Sequence, residues 1–141
     1  MPASELDVSD LLQRPIYIND QLVGVIKGER NHPNTDRLRT LRVEVEPEIS
    51  LKYMRKPAEM APVHKDLLRG IDQNGHVIVS KSFRELQRRW RQTVRIEESL
   101  YAPEELMDRG VLDSEFLEVG TIKSLHKVKR TFKLMIIELK N

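Results

Sequence analysis

The sequence predicts a small α+β protein that is mainly β. Short runs of β-branched and apolar residues alternate with turn residues, one segment has helical periodicity behind a capping signal, and the last third of the chain resembles the first. At 141 residues, the chain has room for one domain or two very small ones. A chain of this length buries about 68–70% of its unfolded surface, so its core requires neither a disulfide nor a metal.

The first third of the chain predicts a tail followed by three strands. Residues 1–9 are polar and predict a flexible tail. Residues 15–18 and 22–27 are apolar runs around Asn19-Asp20, whose residue types tolerate the positive φ of a hairpin turn. Valine alternates with charged residues over 42–46, which predicts a half-buried antiparallel strand.

The middle of the chain predicts a second hairpin behind an irregular segment. Residues 48–62 follow Pro47, contain two more prolines, and are expected to cross between strands with little regular structure. Residues 70–79 read as two strands around the turn Asn74-Gly75. Gly24, inside an earlier strand, marks either a bulge or a close approach of another backbone.

A helix is predicted from about Phe83, because Ser82 and Glu85 have the spacing of a capping box. Its apolar face consists of Phe83, Leu86, Trp90 and Val94. Its basic stripe, which is the candidate polyanion contact, consists of Arg84, Arg88, Arg91 and Arg95. The alternative, which the balanced overall charge favours, is a solvated helix face. The sequence does not determine where this helix ends, since residues 93–96 also alternate as a strand does. A short second helix is expected at Pro103.

The last third of the chain repeats the pattern of the first. At a nearly constant offset, residues 11–16 align with 106–111, residues 23–27 with 119–123, and residues 38–45 with 134–139 and beyond. Any two β-meanders could share such short motifs, but a true duplication is the preferred interpretation.

The composition excludes several classes of protein. Lysine and arginine number 24 against 22 acidic residues, a net charge of +2, and both signs are interleaved. This is typical of an ordinary protein surface and not of a basic tail or a disordered acidic chain. Cysteine is absent, which excludes disulfides and thiol nucleophiles. No apolar run is long enough to span a bilayer and no secretory signal is visible, so we expect a cytoplasmic protein without a membrane span.

Catalytic and metal-binding patterns are not visible in the sequence. The histidines His32, His64, His76 and His126 lack metal-ligand spacing and are expected to be solvated or in turns. The acid pairs 97–98 and 104–105 are expected to be surface charge, because adjacent helical residues diverge by about 100°. We therefore expect no enzyme, no catalytic residue, no cofactor and no metal.

The segment from Asp10 to Glu46 resembles the start of the PRC-barrel family. The matching elements are a leucine pair, an arginine, a β-branched strand, a polar turn, a strand with a central glycine and a strand of alternating valines: Leu11-Leu12, Arg14, Ile16 and Ile18, Asn19-Asp20, Val23-Gly24-Val25, and Leu41 to Val45. The family's closing segment is matched by Ala61-Pro62-Val63, Leu67-Leu68 and residues 76–79. The basic stretch Lys52 to Lys56 departs from the family pattern.

The resemblance implies a small antiparallel β-barrel over residues 10–80. A helical connector would follow over 81–105, and a truncated second PRC-like β unit over 106–141 would pack on the first unit or on a partner subunit. The apolar residues that would form this protein interface are Phe116, Leu117, Ile136 and Ile137, together with Trp90. For Trp90 the alternative, and the preferred one, is a place in the core.

The resemblance also implies a function. PRC barrels are generally non-enzymatic adaptors, which predicts a homo-oligomer or a hetero-oligomer with a related PRC-barrel protein. Stand-alone archaeal members act in cell division with the FtsZ anchor SepF, so SepF is a candidate partner. The alternative is an RNA- or ribosome-associated maturation factor, for which RimM is the family precedent.

Overall fold

The computed structural model describes residues 8–31, 39–128 and 131–139. Within these ranges the protein is mainly β with short helices, as the sequence predicts. The strands are β1 (Pro15–Ile18), β2 (Gln21–Asn31), β3 (Arg39–Val45), β4 (Met60–His64), β5 (Leu68–Ile71), β6 (Val77–Val79), β7 (Val94–Ile96), β8 (Ser99–Tyr101), β9 (Gly110–Leu112), β10 (Glu118–Val128) and β11 (Thr131–Leu139). The helices are α1 (Val8–Leu11), α2 (Pro47–Tyr53), α3 (Phe83–Trp90) and α4 (Pro103–Leu106).

The strands form two sheets. The first has eight strands in the order β5-β6-β1-β2-β3-β4-β8-β7, and the second has three in the order β11-β10-β9. Strand pairs are antiparallel except β1 with β6 and β4 with β8. The eight-stranded sheet is open in the described residues, because its edge strands β5 and β7 are not paired with each other.

One hydrophobic core lies on the inner face of the large sheet. It takes alternate residues from the strands, such as Ile16 and Ile18 of β1 and Val43 and Val45 of β3, all of them buried. Leu86 on α3 is buried in the same cluster. Each such side chain contributes about 1.5–3 kcal/mol when fully buried, so this core is the main source of stability.

The predicted turns have the expected geometry, and one half of the predicted capping box forms, because the Glu85 carboxylate bonds Arg88 and Arg89 instead of the Ser82 N–H. Asn19 and Asp20 have φ of 46° and 66°, and Gly75 has φ of 78°. The hydroxyl of Ser82 accepts a hydrogen bond from the Glu85 backbone N–H at 3.4 Å. The helix ends at Trp90, and the residues beyond it form the β7–β8 hairpin and α4.

The prediction of an irregular segment over 48–62 is wrong. Pro47 stands at the first turn of α2, where a missing N–H costs nothing and the fixed φ suits a helix. Ile49 is buried in the core, and the ring of Tyr53 stacks on Phe83 with centroids 4.6 Å apart. Residues 60–64 form β4, which pairs with β3.

Ordered structure begins before the predicted end of the tail. Residues 1–7 lie outside the described part of the chain, and Val8–Leu11 form α1. None of the helices in the described ranges is long and apolar enough to cross a membrane.

The start of the chain and its last third share a local backbone geometry. Gln13 has φ of 65° and its N–H donates to the carbonyl of Ile26 at 2.7 Å; Asp108 has φ of 60° and its N–H donates to the carbonyl of Ile122 at 2.8 Å. The chain thus contains two three-strand units, β1–β3 and β9–β11. In each unit, a residue with positive φ ties the segment just before the first strand to the second strand.

Side-chain contacts repeat in the same way. Arg14 Nε donates to the carbonyl of Asp10, and Arg109 Nε donates to the carbonyl of Glu105, four residues back in each case. In the second strand, Lys27 bonds the Gln13 side chain at 3.1 Å, and Lys123 bonds the Asp108 side chain at 3.2 Å. Unrelated meanders need not share such contacts, so the repeated contacts support a duplication.

The third strand of the repeat has a different register from the one predicted. A Cβ on Gly24 would overlap the carbonyl oxygen of Glu44, and a Cβ on Gly120 would overlap that of Glu138. Gly120 lies 96 positions after Gly24, but Glu138 lies only 94 positions after Glu44. The predicted constant offset is therefore wrong by two residues in this strand, because the connections between strands differ in length.

Candidate functional site

The two three-strand units differ in what covers them. Val45 faces Gly24 across the β2–β3 ladder and is 5% exposed, whereas Leu139 faces Gly120 at the equivalent position across β10–β11 and is 72% exposed. The difference arises because Val45 packs into the core cluster that covers one face of the large sheet, whereas Leu139 lies outside that cluster in the described residues. The β9–β11 sheet thus exposes apolar surface that its counterpart buries.

A tight turn at one end of this sheet exposes an aromatic side chain. Phe116 is 82% exposed and has φ of 64°, which is unfavourable for a residue with a bulky side chain. Asp113 holds the turn, since its Oδ1 accepts hydrogen bonds from the N–H groups of Glu115 and Leu117 at 2.8 and 3.0 Å. Leu139 lies at the same end of the sheet, where β10 begins and β11 ends.

The predicted interface residues do not form one face. Ile136 and Ile137 are neighbours on β11, so the pleat directs them to opposite sides of the sheet. Ile136 is exposed and Ile137 is half-buried beside Ile122. The exposed apolar residues at this end of the sheet include Phe116, Leu117 and Leu139, with Leu112 on β9, a set that overlaps the predicted one.

Trp90 is a core residue in this structure. It is buried, and its indole N–H donates to the carbonyl of Pro62 on β4 at 3.0 Å. The assignment of Trp90 as an exposed interface anchor is therefore wrong for the chain as described, and the preferred alternative applies. The helical periodicity that places Trp90 on the same apolar face as Leu86 is the sequence feature that favours the core position.

The predicted arginine stripe divides into two parts. Arg84 and Arg88 lie exposed on α3, but Arg91 follows the end of the helix and Arg95 lies on β7. Arg95 donates to the carbonyl of Lys56 at 3.0 Å. The stripe therefore does not continue along one helix, because the chain turns into the β7–β8 hairpin.

Glu85 neutralises part of the helix surface. Arg88 donates to its two carboxylate oxygens at 3.0 and 2.6 Å, and Arg89 donates at 3.2 Å. The hydrogen bonds from Arg88 and then from Arg89 lower the pKa of Glu85 from 4.5 to about 2, and the same pairing raises the pKa of Arg88. Arg88 is therefore a paired cation and not a free one.

A buried ion pair was not predicted from the sequence. Arg42 on β3 lies 3.3 Å from Glu105 on α4, with side chains 9% and 1% exposed. The guanidinium also donates to the carbonyl of Leu100 at 2.7 Å and lies over the ring of Tyr101, 4.4 Å from its centroid. Glu105 accepts from the backbone N–H of Ala102 at 2.7 Å. The expectation that Glu105 is surface charge is wrong, because α4 turns it inward.

The histidines lie apart. His64 lies 3.7 Å from Glu104, His76 stacks on Tyr17, and His126 bonds Ser124 at 3.1 Å, while His32 lies outside the described residues. Within the described part of the chain, no three potential metal ligands cluster together.

No protein-family model matches the chain, and no curated protein matches it closely enough to count as a relative.

Proposed function

We propose that this protein is a non-enzymatic adaptor of the PRC-barrel type that assembles with a second copy of itself through the β9–β11 sheet. The main evidence is the contrast between Leu139 and Val45, which occupy equivalent ladder positions but are 72% and 5% exposed. Several exposed apolar residues near an unpaired sheet edge are typical of a protein interface.

The edge strand supports the choice of partner. In the first unit, β3 accepts β4 as an antiparallel neighbour on the side away from β2. In a dimer, β11 would accept β11 of the second copy at the same side. A two-fold axis would then bring the same residues of both chains together, which is the commonest arrangement in homodimers.

Phe116 supports the location of the contact. The positive φ of Phe116 costs folding free energy, which the hydrogen bonds to Asp113 offset in part, and such positions cluster at functional sites. A turn backbone that hydrogen bonds already hold in place also loses little entropy when it binds. Phe116 is accordingly the proposed anchor of the interface.

Curvature of the large sheet supports the PRC-barrel part of the proposal. β4 ends at His64 and β5 begins at Leu68, so only the 3-10 turn Lys65–Leu67 joins two strands that stand five places apart in the sheet order. Five spacings in a flat sheet would separate these strands by about 24 Å, more than the roughly 14 Å that four Cα steps can span. Leu68 of β5 and Leu100 of β8 also belong to one core cluster, which requires the sheet to curl around its inner face.

The family resemblance supports a cytoplasmic cell-division assembly as the setting, with SepF as the specific candidate partner beyond the self-contact. Tagged protein from the native host should then retain SepF through purification. A preparation that retains another PRC-barrel protein in its place would indicate the hetero-oligomer, and one that retains ribosomal subunits would favour the RimM-like role.

The oligomeric mass tests the self-assembly directly. By light scattering at tens of micromolar, we expect about twice the chain mass of 16.5 kDa. Leu139→Lys should return the mass to that of a single chain. The matched control is Leu51→Lys, since Leu51 on α2 is equally exposed, at 70%, but lies on the other unit. A single-chain mass for the unmodified protein would contradict the proposal.

A further inference from the structure

A cleft separate from the β9–β11 sheet lies between the end of α2 and the region where α3 gives way to β7. It has a volume of about 670 Å³ and is open to solvent. It is lined by Lys52, Tyr53, Met54, Arg55, Lys56, Gln87, Trp90, Arg91, Thr93, Arg95 and Leu100. Volumes between about 300 and 1,000 Å³ are typical of ligand sites.

The cleft has only one sign of charge. Among the described residues that line it, five are lysine or arginine and none is acidic, although the chain as a whole carries 24 basic and 22 acidic residues. Among the described residues, no carboxylate lies within ion-pair distance of Lys52, Arg55, Lys56 or Arg91. Arg88 and Arg89 on the neighbouring face, by contrast, are paired with Glu85. Four of the five cations are therefore unpaired within the described residues, while Arg95 is paired with Glu98. A cleft lined by charge of one sign concentrates its field and attracts counter-ions.

The cleft is also held in shape. Arg95 donates to the carbonyl of Lys56 at 3.0 Å and to Glu98 at 3.3 Å, which fastens β7 to the chain after α2. Trp90 and Met54 are buried and form an apolar floor. Charge interactions are stronger beside an apolar surface than in water, and a site held in shape loses less entropy when it binds.

We propose that this cleft binds an anion that carries several closely spaced phosphate groups. Guanidinium groups bind phosphate in bidentate geometry, and three of the five cations are arginines. A phosphate chain supplies negative charge at every link, so it neutralises several cations within a site of this volume, which a single carboxylate cannot do. The phosphates come either from a single RNA strand that lies along the cleft or from a free polyphosphate such as a nucleoside triphosphate.

The two basic segments that line this cleft are visible in the sequence, but the sequence does not show that they lie side by side. More than thirty residues separate the basic stretch Lys52 to Lys56 from Arg91 and Arg95. The structure places Arg91 and Arg95 in the cleft but leaves Arg84 and Arg88 outside it. The proposed anion site therefore differs from the stripe that the sequence predicted, and the two can be tested against each other.

Two double variants make this test. Lys56→Glu with Arg91→Glu reverses two charges in the cleft, and Arg84→Glu with Arg88→Glu reverses two charges on α3 outside it. Binding is measured by fluorescence anisotropy of a labelled single-stranded RNA of about 12 nucleotides, with circular dichroism to check that each variant is folded. We expect the cleft variant to bind about tenfold or more weakly and the α3 variant to stay within about twofold of the unmodified protein.

Salt dependence and competitors identify the chemistry. If three to five phosphates are neutralised, log K should fall with log salt at a slope of about −2 to −3.5, and the cleft variant should show a slope shallower by about 1.4. If tripolyphosphate displaces the labelled RNA only weakly, the phosphates that the cleft binds come from an RNA strand. Tripolyphosphate or ATP that competes as well as RNA indicates a free polyphosphate, and both results support the proposal.

Three results would overturn it. One is that neither RNA nor tripolyphosphate binds at about 50 mM salt. Another is equal weakening by the two double variants, which would indicate diffuse attraction to positive charge. The third is competition by polyglutamate as strong as that by tripolyphosphate, which would indicate a carboxylate-bearing partner. The oligomeric mass is independent of all three, since no residue of the β9–β11 sheet lines the cleft.

Discussion

Arg42 and Glu105 form a buried ion pair that ties the large sheet to the helix leading into the second sheet. The Arg42 guanidinium lies 3.3 Å from Glu105 and 3.1 Å from the hydroxyl of Ser99, so it contacts both α4 and β8. Because Glu105 stands one residue before the start of the repeated segment at Leu106, this contact determines how that segment leaves the first unit.

Loss of either partner should strongly destabilise the fold. Glu105→Gln leaves the Arg42 charge buried without its counter-charge, and we expect the free energy of unfolding to fall by about 3–5 kcal/mol. The exposed pair Lys27 and Glu44, whose side chains are 39% and 58% exposed, is the matched control, and Glu44→Gln should cost less than about 1 kcal/mol. Urea denaturation measures both. Equal small losses would mean that water solvates the buried pair.

Phe116→Gly should stabilise the single chain and weaken its self-association. Glycine adopts the φ of 64° without strain, so we expect the unfolding free energy of the monomer to rise by about 0.5–1 kcal/mol. The dimer should lose its proposed anchor. Leu117→Gly is the control, since Leu117 is also exposed but lacks a positive φ, and it should weaken association without the gain in stability. Denaturation of dilute protein and light scattering of concentrated protein separate the two effects.

Elements with a local chemical signal were predictable from the sequence. The positive φ at Asn19 and Asp20, the glycine turn at Gly75 and the cap at Ser82 each depend on neighbours within three residues. Valine alternation identified β3 for the same reason. In each case the backbone conformation follows from a side chain's own preference.

Features that depend on distant contacts were not predictable. Glu104 and Glu105 look alike in the sequence, and only the docking of α4 against Arg42, 63 residues away, buries one of them. Pro47 can end a strand or begin a helix, and the burial of Ile49 in the core favours the helix. The basic cleft likewise forms only where β7 lies against the chain after α2.

Alanine in place of Gly24 should destabilise the protein more than alanine in place of Gly120. In both cases the new Cβ would overlap a backbone carbonyl oxygen of the next strand. Because β3 is held between β2 and β4, Gly24→Ala should cost about 3 kcal/mol, whereas the edge strand β11 can shift and Gly120→Ala should cost about 1 kcal/mol. Gly28→Ala, also in β2, is the control, since its Cβ would have nothing within 4 Å, and it should change stability by less than about 0.5 kcal/mol. A loss at Gly28 as large as that at Gly24 would contradict overlap as the cause, because alanine lowers the entropy of the unfolded chain and by that effect alone favours folding.

Glu85 should give the stability of α3 a dependence on pH in acid. Its pKa is about 2 in the folded protein, mainly because Arg88 and then Arg89 bond the carboxylate, against an ordinary value of 4.5. Since the folded pKa is the lower one, this contribution is present above about pH 4.5 and is lost as the pH falls from 4.5 towards 2. The carboxyl carbon shift of Glu85, followed by NMR, measures the pKa directly.

Two variants identify the cause of that shift. Arg88→Gln removes the largest contribution and should move the pKa of Glu85 back towards 4.5, while Arg84→Gln, which removes a charge from the same helix without contacting Glu85, should leave it near 2. High salt should weaken the shift, because the pair lies at the surface. If Glu85 titrates near 4.5 in the unmodified protein, Arg88 is not paired with it. The proposed difference between the paired cations on α3 and the mostly unpaired cations in the cleft would then be wrong as well.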